Sequence, residues 1–130
     1  MRARLTAICI DTAAVVGFVA LGRNSHAEGE AVAGIATVAA PFLIGLAVGW
    51  VAMRRTTLPA GRRTGTVVWA CTTVIGLAVR GLAFGRPTPV VFMLVGGTFL
   101  ALTLLGWRAA WGLTVRMRAR EDGASEPSAP

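Results

Sequence analysis

Long apolar stretches alternate with short polar ones along this chain, at about 5–21, 31–53, 66–84 and 90–115. A helix crossing a ~30 Å hydrocarbon core needs roughly 17–25 mainly apolar residues, and each stretch is long enough. Within a stretch the apolar positions follow no period. The residues are apolar on every side, as in a helix surrounded by lipid. The pattern predicts an all-α, integral membrane four-helix bundle of two antiparallel hairpins, with residues 1–115 as the transmembrane domain. Residues 116–130 read as a basic juxtamembrane segment and a disordered cytoplasmic tail, because Glu121–Pro130 is all small, acidic or proline. The first stretch has the basic start of a cleavable leader, but Asp11 interrupts it. It is therefore read as a retained span.

Charge gives the bundle a direction. Arg2 and Arg4 precede the first span, Arg54, Arg55, Arg62 and Arg63 separate the second from the third, and Arg108, Arg116, Arg118 and Arg120 end the fourth. The opposite loops carry only Arg23 and Arg86, with Glu28 and Glu30 beside the former. This positive-inside bias places both termini in the cytoplasm. Trp50, Trp69, Trp107 and Trp111 all fall near the same end of their spans. There they read as inner-interface anchors, since an amphipathic indole prefers the headgroup level.

Composition agrees with this class. Hydrophobic residues make up 55% and charged residues 15% of the chain, against about a quarter charged in soluble domains. The net charge of +7 does not point to nucleic acid, because the arginines gather at span ends and form no stripe on a soluble face. The bilayer, with anionic headgroups at its cytoplasmic face, is the simpler partner. All 13 basic residues are arginine. With the heavy use of Ala, Gly and Val, this suggests a bacterial protein of high-GC coding, and hence the bacterial plasma membrane.

Gly45-x-x-x-Gly49, Gly81-x-x-x-Gly85 and Gly96-Gly97 offer close helix approach, which is what holds helices together in lipid. Pro41 lies mid-span and removes a helical donor, predicting a structural kink. A spacing of 63 residues aligns Gly49 with Gly112 and Arg55 with Arg118, a weak sign of a two-fold repeat.

The polar residues in costly places are the functional candidates. Asp11 lies inside the first span, where a central carboxylate costs about 2.5–3.5 kcal/mol on the insertion scale. Arg80 is the ionisable group inside the third span, and its side chain leans toward Asp11. An Asp11–Arg80 ion pair, a protonated Asp11 on a backbone carbonyl, and a proton-coupled Asp11 all remain open. His26, the single histidine, sits in an outer loop near Glu28 and Glu30. One imidazole is a poor metal signal, and a hydrogen-bonded loop residue is the simpler reading. No catalytic, cofactor-binding or metal motif is complete, so no enzyme and no cofactor are expected.

Several of these residues together carry a resemblance. Asp11, Gly22-Arg23-Asn24-Ser25-His26, Pro41-Phe42-Leu43 with Trp50, Arg80, and Gly106-Trp107-Arg108 resemble the domain-of-unknown-function family 3054, over about Ala3 to Trp111. That family comprises small prokaryotic membrane proteins with no established activity. The resemblance implies a four-helix membrane fold and directs interest to Asp11, Arg23, His26 and Arg80. The leading expectation is a non-enzymatic accessory or assembly component, as a homodimer or in a larger membrane complex. The alternative is a dimeric proton-coupled small-molecule transporter using Asp11.

Overall fold

The computed structural model of the chain describes residues 1–24, 31–83, 85 and 89–124. Four α-helices make up the described chain: α1 (Arg2–Asn24), α2 (Ala31–Ala52), α3 (Arg62–Leu82) and α4 (Val90–Ala124). All are long and apolar enough to cross a membrane, and the fold is an all-α four-helix bundle. Each helix packs on its neighbour in sequence, and α4 closes on α1. Among the described residues no Cα of α1 comes within 8 Å of α3, nor of α2 within 8 Å of α4. The helices therefore form a four-membered ring of antiparallel neighbours. The arginine-bearing ends collect at one end of it.

The α2–α3 seam is the tightest, and glycine is the reason. A Cβ on Gly45 would lie 2.6 Å from the Cys71 carbonyl oxygen and 2.9 Å from the Thr72 Cα. One on Gly49 would lie 2.9 Å from the Val68 Cα. From the other side, a Cβ on Gly76 would meet the Phe42 ring at 2.6 Å. Backbone thus touches backbone, which gives the van der Waals contact that lipid-embedded helices depend on. The second glycine pair does something else. Gly85 lies beyond α3 with φ +57°, the left-handed region that glycine enters freely. Gly112, aligned with Gly49 by the 63-residue spacing, faces open space, so the repeat is not carried into the packing.

Other expectations meet the structure in detail. Pro41 is buried within α2, and the helix continues through it. α3 begins at Arg62, so both arginines of that pair lie in its first turn. α4 continues past Val115, where the fourth apolar stretch ends, through Arg116, Arg118 and Arg120 to Ala124. Its 35 residues span ~52 Å at ~1.5 Å per residue, well beyond a ~30 Å core. Between Val115 and Asp122 there is no Gly or Pro to stop it.

The interior divides into two layers. In the half away from the arginine-rich end, Phe18 packs edge-on to Phe42 at 5.6 Å and tilted against Phe99 at 5.5 Å. Arg80 stacks over Phe92, its guanidinium carbon 4.6 Å from the ring centre. In the other half the core turns polar, around Asp11.

Candidate functional site

Asp11 is fully buried, at 0% exposure. A bare carboxylate there would be prohibitively costly, and the surroundings show how the cost is met. The ionic partner is Arg108 of α4, itself 2% exposed. Its Nη1 donates to Asp11 Oδ1 at 2.8 Å and its Nη2 to Oδ2 at 2.7 Å. This is the bidentate fork that arginine and carboxylate geometry favour. The indole Nε1 of Trp107 donates to Oδ1 at 2.9 Å, and that of Trp50 to Oδ2 at 3.1 Å. Each carboxylate oxygen thus accepts two bonds, which fills the acceptor capacity of the group.

Arg108 is held as closely. Its Nη1 also donates to the Leu104 carbonyl at 2.6 Å, and its Nε to the Pro59 carbonyl at 3.3 Å. The guanidinium carbon lies 4.5 Å from the Trp107 ring centre. Gly65 of α3 makes room for it: a Cβ there would sit 2.6 Å from Arg108 Cδ and 3.0 Å from a Leu105 methyl. One ion pair therefore draws on α1, α2, α4, the α2–α3 connection and a gap in α3.

The connection is itself fixed. The Thr64 hydroxyl donates to the Leu58 carbonyl at 2.8 Å and lies 3.3 Å from the Thr56 hydroxyl. Arg4 of α1 donates to the carbonyls of Trp50, at 3.2 Å, and Arg54. A cation thereby satisfies carbonyls at the end of α2, where helices leave acceptors unpaired and the dipole favours positive charge.

The Asp11–Arg80 pairing is corrected: the ion-pair partner of Asp11 is Arg108. Depth explains it. Counting ~1.5 Å per residue from the helix ends opposite the arginine-rich end, Asp11 lies ~20 Å down, Arg108 ~27 Å and Arg80 only ~3 Å. Side-chain direction works the same way. Side chains lean toward their helix N-terminus. Arg108 on α4 therefore leans into the bundle, while Asp11 on α1 leans out to meet it. Arg108, counted in the sequence among the interfacial arginines, is a core residue.

The tryptophans also separate. Trp50 and Trp107 bind Asp11. Trp69 donates to the Gly97 carbonyl at 3.0 Å and ties α3 to α4. Trp111 is 58% exposed. Arg23 closes α1, but its side chain, like all of His26, lies outside the described residues. Arg108 was the residue sequence reasoning missed. The available signal was Gly106-Trp107-Arg108, an arginine eight residues before the next one, Arg116, within apolar sequence.

A family model described as "Protein of unknown function (DUF3054)" matches residues 8–111, a stretch that contains Asp11, Trp50, Trp107 and Arg108. No curated protein and no solved structure matches the chain. By that match the chain belongs to the family of unknown function DUF3054.

Proposed function

We propose that this family member is a non-enzymatic accessory or assembly component of a larger complex in the bacterial plasma membrane, with both termini cytoplasmic. The observation that supports this reading is the state of Asp11. All four acceptor positions of its carboxylate are taken by Arg108, Trp50 and Trp107. A carboxylate that carries protons between two sides must be reached by water and exchange partners. This one instead joins three helices. The same observation weighs against the proton-coupled transporter reading. Arg54, Arg55, Arg62, Arg63, Arg108, Arg116 and Arg118 lie toward the end that holds both Arg2 and Arg120, against Arg23 and Arg80 toward the other, and that bias supports the orientation.

A scaffold with a rigid inner layer has its outer faces available for partners. Val74 on α3 and Leu102 on α4 point outward, at 67% and 70% exposure. A photocrosslinking residue at either position, activated in native membranes, is expected to give a stoichiometric adduct with a second membrane protein. Adducts with lipid and self alone would refute the reading. Proton flux in reconstituted vesicles that is lost in Asp11→Asn would establish the transporter instead.

A further inference from the structure

A groove of about 800 Å³ runs along the α1–α4 seam at the arginine-rich end, within the ~300–1,000 Å³ typical of small-molecule sites. Ile10 and Trp107 close its deep end, Ala110 and Gly112 line α4, Pro59 forms a wall, and Arg116 stands at the mouth. The groove exists because small residues meet there. Gly112 has nothing within 4 Å of where its Cβ would be. The wall is apolar even where the sequence is not: the Thr6 hydroxyl bonds the Arg2 carbonyl and the Thr114 hydroxyl the Trp111 carbonyl. Each threonine is thus satisfied by its own helix.

We infer that this groove binds one phospholipid with an anionic headgroup, an acyl chain lying between α1 and α4 and the phosphate at Arg116. The argument is one of shape and charge. Along α4 the groove runs from Trp107 to Arg116, ~14 Å of helix axis. That length is about half of a ~30 Å core, the reach of one leaflet. A partner helix fits poorly. A helix ~10 Å wide fills ~80 Å² in cross-section, so the whole groove would take less than two turns of it. At the mouth arginine comes first, with Glu121 and Asp122 following only beyond Arg120. Arg116, Arg118 and Arg120 stand exposed on α4, and among the described residues no carboxylate lies within 4.0 Å of Arg116. A chain-shaped apolar wall ending at a free cation matches an anionic lipid. The deep end is Trp107, whose indole bonds Asp11, so an occupant rests against the same ring that completes the ion pair. This inference requires a membrane location and holds whether or not the accessory-subunit reading does.

The full chain, as Trp111→Phe so that Trp107 is the indole at the groove, would be placed in phosphatidylcholine vesicles. Either brominated phosphatidylglycerol or brominated phosphatidylcholine is then titrated in, and Trp quenching is read. Saturable quenching by the anionic lipid, absent with the zwitterionic one, is expected. Arg116→Gln should weaken that binding about fivefold, the worth of one arginine near an anionic surface. Gly112→Leu, which fills the groove, should abolish it. Arg116 is exposed and outside the packed core, so that variant reports even if the filled groove unfolds the protein. Equal quenching by both lipids overturns the inference, as does a preference unchanged in Arg116→Gln. A dimer that Gly112→Leu dissociates would assign the groove to a second copy, and overturn it too.

Discussion

Neutralising Asp11 tests the buried layer most directly. In Asp11→Asn the shape is kept and the charge lost. The new amide nitrogen must replace one carboxylate oxygen. Oδ1 receives Arg108 and Trp107, and Oδ2 receives Arg108 and Trp50. Whichever way the amide turns, a donor faces two donors. Arg108, 2% exposed, is left as a buried cation without its anion. Breaking one side of a buried pair costs about 3–5 kcal/mol, so Asp11→Asn and Arg108→Gln should each destabilise by about that much. The double replacement Asp11→Leu with Arg108→Met removes both charges and should lie much closer to wild type. With the single changes Asp11→Leu and Arg108→Met completing the cycle, the coupling energy should exceed the ~0.5–3 kcal/mol usual for residues in contact. The assay is reversible unfolding in mixed micelles against a denaturing detergent, followed by helical circular dichroism. Arg80→Gln is the control, since Arg80 stacks on Phe92 in the other layer, and it should add to Asp11→Asn without coupling. Strict additivity of the Asp11 and Arg108 changes, or coupling of Asp11 to Arg80 instead, would refute the reasoning.

Further outcomes follow from the same geometry. Gly65→Ala should destabilise by about 1–3 kcal/mol, as overpacked cores do, because its Cβ would meet Arg108 Cδ. In an Arg108→Ala background the same change should have little further effect, as thermal melts in detergent will show. Gly45→Ala should lower stability by a comparable ~1–3 kcal/mol, whereas Gly17→Ala, with nothing near its Cβ, should be neutral or slightly stabilising in the same melt. Trp107→Phe keeps an aromatic ring near Arg108 but deletes a bond to a carboxylate, a loss of about 1.5–3 kcal/mol. Trp111→Phe, at an exposed position, should stay within about ±0.5 kcal/mol, and detergent unfolding distinguishes the two.

Much of this architecture follows from local sequence. A run of apolar residues that nothing periodic interrupts can bury its backbone polar groups in lipid only as a helix. The number of helices and their approximate limits are therefore written in the chain. So is the collection of arginines at one end, since every second connection carries them. The helix beyond Val115 is less legible, because polar helix and polar coil share a composition rich in Arg, Glu and Ala.

The partners could not be read in advance. Asp11 announces itself through its cost, but its cost does not say who meets it. Arg80 and Arg108 both stand on helices that could turn toward it. Only the ring order, with α4 closing on α1, and the vertical offset of the helices bring Arg108 to the carboxylate. Trp50 and Trp107 show the same limit. Their place near the ends of spans is a one-dimensional fact, while an indole N–H bonding Asp11 depends on the rotation of α2 and α4 about their axes. Gly65 reads as one more small residue until Arg108 is seen lying across it. Span, direction and charge side are properties of a segment in its solvent, and sequence suffices for them. Pairing depends on the relative depth and rotation of separate helices, and packing alone determines those.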